Sequence, residues 1–191
     1  MCSSDLPTLC YIPSTGDQRV IVAENAVEQL ERDPAGIVVD LKQHLHRSGK
    51  VRLGATRASL SRIEIAGALF SEVRKRYGEI TKIAAPRTCS VAVPSTFEDH
   101  QRECVRKSAQ AAGFQQVSLV DESVAAAHAW MASGKFQESE YLLVCDIGGG
   151  SVQLTLLRRS KRTFELVADV PPSNTLAGMN RIDEKIGRAH V

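Results

Sequence analysis

The chain has 191 residues, enough for one good hydrophobic core or two small ones. Hydrophobic residues make up 43% and charged residues 24%, as in an ordinary globular protein. The net charge of +2 argues against nucleic acid or an anionic membrane as a partner, and no apolar run approaches a membrane span. The five cysteines are scattered, without zinc-like spacing, which fits a reducing cytoplasm better than a disulfide framework.

The ends read as foreign. Ile186 to Val191 matches a translation of a common sequencing adapter, and Met1 to Leu6 matches its reverse complement. Residues 1–6 and 186–191 are therefore set aside as scars, and neither natural terminus is expected within the chain.

Residues 8–12 and 19–23 are short apolar runs around Pro13-Ser14-Thr15-Gly16-Asp17, the pattern of a hairpin. Residues 24–31 read as a short helix closed by Asp33-Pro34. Residues 46–58 are polar and broken, which predicts a loop or a small excursion.

From Ser59 helices and strands alternate. Ile63, Ala66, Phe70, Val73 and Tyr77 fall at helical spacing, Ser61 with Glu64 predicts a capping box, and Gly78 can close the helix. Thr88 to Val93 is a β-rich run ended by Pro94. Ser95 with Glu98 predicts a second capping box, opening a helix that runs to Gly113. Val117 to Val120 reads as a strand and residues 122–132 as an Ala-rich helix. Tyr141 to Cys145 is a continuous apolar run, as in a strand buried on both faces. Val152, Leu154 and Leu156 then alternate with polar residues, and Thr163 to Asp169 makes a third strand. The predicted class is α/β, with helices on a mixed sheet.

Three features carry chemistry. Asp146-Ile147-Gly148-Gly149-Gly150-Ser151 lies between two strands. Its glycines let backbone approach a ligand closely, and freed N–H groups in such a turn form an anion nest. A carboxylate at the strand end suits the water shell of Mg²⁺. No Gly-Lys-Ser/Thr and no helix follows, so this is neither a P-loop nor a dinucleotide fingerprint. A plain glycine-rich hairpin is the alternative. The second feature, Asp121-Glu122-Ser123, puts an acid at a strand-to-helix turn, where it can orient a water. Taken alone, it reads first as an acid favoured by the helix dipole. The third, Lys42, is by itself a solvated lysine.

The order and spacing of Val91-Ala92-Val93-Pro94-Ser95-Thr96-Phe97, Gln101-Arg102, Glu122-Ser123-Val124-Ala125-Ala126-Ala127 and Asp146 to Ser151 resemble DnaK-type (seventy-kilodalton heat-shock) chaperones. The likeness continues through Phe164-Glu165-Leu166 to Leu176-Ala177-Gly178, and back to Leu6-Pro7-Thr8 and the Lys42 segment. The resemblance implies an actin-like ATPase fold (ribonuclease H-like) with two lobes around a nucleotide cleft. Residues 7–58 would form the outer and 59–140 the inner subdomain of the first lobe, and residues 141–185 would begin the second. It further implies ATP/ADP and Mg²⁺ as cofactors. Lys42 would touch the γ-phosphate and position the attacking water. Glu122 and Asp146 would organise the hydrated Mg²⁺, as catalytic residues with Lys42. Gly148, Gly149, Gly150, Ser151 and Gly178 would lie along the nucleotide. Pro94 and Arg102 would relay nucleotide state to a peptide-binding domain that holds unfolded client proteins, and a nucleotide exchange factor would be a further partner.

Several positions depart from that pattern. Ser123-Val124 replaces Pro-Thr, and the Lys42–Ser59 region is shorter. Asp121 and Ser118 replace an Asn and an Arg that contribute to J-domain docking, which weakens the case for a J-domain co-chaperone. Gln153 replaces an acid, which weakens a monovalent (K⁺) site. The first phosphate loop and most of the second lobe are absent, so this chain alone is expected to be inactive and its strands beyond residue 140 to pack poorly. A rod-shape cytoskeletal actin and an exopolyphosphatase-like phosphohydrolase share the glycine turn and stand as alternatives.

Overall fold

The computed structural model describes residues 9–13, 19–38, 41–45, 47, 50–53, 56–134, 140–147, 152–161 and 163–170. These form two compact units. The first is built on residues up to Ser90 together with Glu98–Ser118, the second on Val91–Phe97 and the chain from Leu119.

In the first unit, β1 (Cys10–Tyr11) lies between β2 (Ile21–Val22) and β3 (Ile37–Val38), antiparallel to both. The predicted hairpin is thus present, with Cys10 opposite Val22. Between β2 and β3 stand a single α-turn, α1 (Glu24–Val27), and a 3₁₀ turn at Pro34–Gly36. Helix α2 (Leu41–His44) follows. The stretch expected to be a loop instead contains a hairpin, β4 (Lys50–Leu53) with β5 (Thr56–Ser61). Polar residues can occupy such a ribbon, since only one of its faces needs cover; Val51 supplies the buried contact.

Ser61 caps α3 (Arg62–Thr81) through the expected box with Glu64. The helix runs past Gly78. Lys82 takes the left-handed cap conformation and bonds the Gly78 carbonyl at 3.0 Å. Of the predicted stripe, Ala66 is buried and Ile63 and Phe70 are half-buried, whereas Val73 and Tyr77 are exposed; Ile65 and Gly67, on either side of Ala66, are buried as well. Cys10, Ile12, Val38, Val51 and Ile65 form one core. A second lies between α3 and α4 (Asp99–Ala111), where Ala109, Ala112 and Phe114 meet Phe70.

Strands β6 (Thr88–Val93) and β7 (Gln116–Asp121) pair with each other. In the second unit, α5 (Glu122–Ala132) packs on an antiparallel sheet in the order β10-β9-β8. These strands are β8 (Tyr141–Ile147), β9 (Val152–Ser160) and β10 (Thr163–Val170). Strand β9 is bonded on both sides, so its pairing is complete. The expectation that β8 is buried on both faces fails: Tyr141, Leu143 and Ile147 are exposed, because α5 covers only the opposite face. The two faces of β9 are divided unexpectedly. Gln153, Thr155 and Leu157 are buried, while Val152, Leu154 and Leu156 are half-buried.

Candidate functional site

The second unit holds Pro94, Glu122 and Asp146, and the first holds Lys42 and Arg102. Gly148, Gly149, Gly150, Ser151 and Gly178 lie outside the described residues.

Lys42 is exposed on α2, whose Leu41 turns into the first core. Pro94 ends β6 and accepts a backbone bond from Phe97 at 3.0 Å, so residues 94–97 form a turn. Arg102 is half-buried on α4. Asp121 is the N-cap of α5, but its side chain makes no capping bond. Glu122 is the first residue of that helix, half-buried, where the helix dipole favours a negative charge. Asp146 is exposed near the end of β8, directly opposite Gln153 on β9. Because α5 packs on β8, the two acids stand on elements that touch. Their carboxylates are hard oxygen donors of the kind that hold Mg²⁺ through water, although among the described residues no three His, Cys, Asp or Glu gather into a direct metal-ion cluster. In the adjoining first turn, Ser123 is 4% exposed and its Oγ has no hydrogen-bond partner.

Ser95 does not cap α4. The reciprocal bond at that helix comes from Gln101, whose Oε1 accepts from the Glu98 N–H at 2.9 Å. Ser95 Oγ instead donates to Asp169 Oδ2 and accepts from Gln153 Nε2. Gln153 Nε2 also reaches Asp169 Oδ2 at 3.1 Å, and Thr155 Oγ1 donates to Asp169 Oδ1 at 3.2 Å. In the sequence Gln153 stands out only as a departure from a family pattern and Ser95 only as a candidate cap, neither as part of this cluster. Its signal was the placing of Gln153 and Thr155 two apart on a strand, which puts both on one face.

The cysteines among the described residues are all free thiols: Cys10, Cys89, Cys104 and Cys145. Burial pushes the Cys10 thiol up to about 12, so it is inert. No described helix is long and apolar enough to cross a membrane.

Helices packed with β-sheets, with acids at a helix start and a strand end, define an α/β protein with a candidate cation site. Comparison with known proteins narrows that class. Residues 18–189 match the family described as Hsp70 protein. The chaperone protein HscA homolog of Bordetella petrii is 30% identical over 170 residues, covering 80% of this chain and 27% of that protein. The chaperone protein DnaK of Mycoplasmopsis agalactiae is 28% identical over 171 residues, 90% of this chain and 27% of its own length. That of Thermoplasma volcanium is 27% identical over 176 residues, 92% and 28% respectively. This chain belongs to the Hsp70 family. It spans about a quarter of the length of these relatives, and the match favours neither the rod-shape actin nor the exopolyphosphatase alternative.

Proposed function

We propose that the chain is part of the ATP-binding, ATP-hydrolysing domain of an Hsp70-type chaperone, acting in the cytoplasm on unfolded client proteins. The observation that carries this reading is the pair Glu122 and Asp146. They stand at the start of α5 and near the end of β8, on packed elements of one unit, inside the family match.

In this reading the fold is actin-like, with 7–58 and 59–140 as subdomains of the first lobe and 141–185 opening the second. Asp146 and Glu122 would hold the water shell of a Mg²⁺, which would supply neutralisation of phosphate charge. Lys42 places a positive charge at the γ-phosphate and holds the attacking water. The backbone N–H groups of Gly148, Gly149, Gly150 and Ser151 cradle phosphates, and Gly178 lies along the nucleotide. Phosphoryl transfer needs positioned charge more than covalent chemistry, and these residues supply position and charge. Pro94 and Arg102 relay nucleotide state to client binding. Gln153 at the family's acidic position weakens a K⁺ site, because its amide oxygen carries no charge.

The test uses the full-length parent. Mg²⁺-dependent ATP hydrolysis, lowered by Glu122→Ala and by Asp146→Asn, together with ATP-driven release of an unfolded peptide, supports the reading. ATP-dependent pelleting as polymer without peptide binding would replace it with the filament reading.

A further inference from the structure

The α5-facing side of the β8–β9–β10 sheet changes character along its length. At one end Leu142, Val144, Leu157 and Phe164 pack with Val124, Ala127 and Met131 of α5. At the other end the same face is polar. Register sets Asp146 opposite Gln153 and Asp169 opposite Thr155. Because side chains alternate with period two, Gln153 and Thr155 share that face, and Asp169 is the diagonal neighbour of Gln153.

Gln153 is 7% exposed and Thr155 1%, so their polar groups need partners within the protein. An amide nitrogen brings two hydrogens and each hydroxyl one. All of them find acceptors in the cluster. Thr155 donates to Asp169 Oδ1 and Ser95 to Asp169 Oδ2, while Gln153 donates to Asp169 and to Ser95. A buried network satisfied in this way selects one geometry, because displacing any member strands the others.

Ser95 belongs to the turn after β6, whereas Gln153 belongs to the hairpin that carries Asp146. We propose that Ser95, Gln153, Thr155 and Asp169 form a latch that holds the Asp146 end of the β8–β9 hairpin against the Pro94–Phe97 turn. Gln153 and Asp169 are its positioning residues. Their effect on nucleotide chemistry rests on the function proposed above; the latch itself does not. The residue at 153 must be a donor here, since an acid would face the Asp169 carboxylate as a like charge.

The donor–acceptor polarity of the pair supplies the test. Gln153→Glu sets two carboxylates against each other. Adding Asp169→Asn restores one amide and one carboxylate with their roles exchanged, and both hydroxyls can rotate to suit. In the 191-residue chain, Gln153→Glu should speed amide hydrogen exchange across residues 95–98 about tenfold, the middle of the range for coupled hydrogen-bonded neighbours. The double variant should return it towards the parent rate. In the full-length protein, Gln153→Glu should lower single-turnover ATP hydrolysis about tenfold with ATP affinity within about twofold, and the double variant should recover it. Exchange at 95–98 unmoved by Gln153→Glu, or a double variant that merely adds the two single effects, overturns the latch. Rescued exchange with no ATP hydrolysis in any full-length variant supports the latch and overturns the nucleotide reading instead.

Discussion

Gly36 lies directly against the ring of Tyr11. A Cβ at residue 36 would stand 2.5 Å from the Ile12 carbonyl oxygen and 2.8 Å from Tyr11 Cδ2. The same carbonyl segment is bonded there, since Ile12 N–H donates to the Gly36 oxygen at 2.9 Å. Tyr11 cannot swing away freely, because its hydroxyl donates to Asp33 Oδ2 at 3.0 Å. Gly36→Ala should therefore cost about 1–3 kcal/mol, the usual penalty of overpacking, read as a lower midpoint in urea. An unchanged midpoint would mean that the Pro34–Gly36 turn moves away at little cost.

Ser123 offers the opposite change. Its Oγ is buried without a partner, and an unsatisfied hydroxyl carries a desolvation cost of about 1–3 kcal/mol. Ser123→Ala removes the polar atom and improves helix propensity in α5. The variant should be more stable than the parent by about 1 kcal/mol in urea unfolding. A loss of stability would show that the hydroxyl has a bond of its own.

The α3 cap predicts a pH dependence. The Ser61 backbone N–H, at 2.7 Å from Glu64 Oε2, and then its hydroxyl, at 2.8 Å, hold the Glu64 carboxyl below its ordinary value of 4.5. A lowered folded value means that the stabilisation is fully present above the ordinary value. It is lost as pH falls through the folded one. Ser61→Ala should cost about 0.5–2 kcal/mol at neutral pH, as loss of an N-cap does. Glu64→Gln can still bond the Ser61 N–H but does not titrate. Its stability difference from the parent should shrink as pH drops below 4.5 in urea titrations. A constant difference down to strong acid would remove Glu64 from the cap.

Lys42 is exposed on α2 beside a half-buried Leu41 that packs on the first core, so removing the Lys42 side chain leaves that core intact. In the full-length parent, Lys42→Ala should lower single-turnover ATP hydrolysis by about 10²–10³, the usual loss of one preorganised stabiliser of a charged transition state. ATP affinity by calorimetry should change little, since a contact made mainly in the transition state acts on turnover. Unchanged hydrolysis would make Lys42 an ordinary surface charge.

What the chain alone determined is local. The bounds of β6 and α5, the Ser61–Glu64 cap and the strand character of 152–156 follow from propensity, capping chemistry and period, each set within a few residues. Asp146 and Glu122 were legible for the same reason, at a strand end beside glycines and at a helix start. Tertiary structure decided which face each pattern presents. Alternation in β9 says that Leu154 and Thr155 point opposite ways, but not which is covered. That depended on α5 and the Pro94–Phe97 turn lying over the Thr155 side. The partner of Ser95 is equally invisible locally. A nearby Glu98 offered a cap, yet the hydroxyl bonds Asp169, 74 residues away, because Gln153 and Thr155 on that face leave the carboxylate room for one more donor. A hydrogen bond across that separation is available only after the sheet has closed, so no window of sequence contains it.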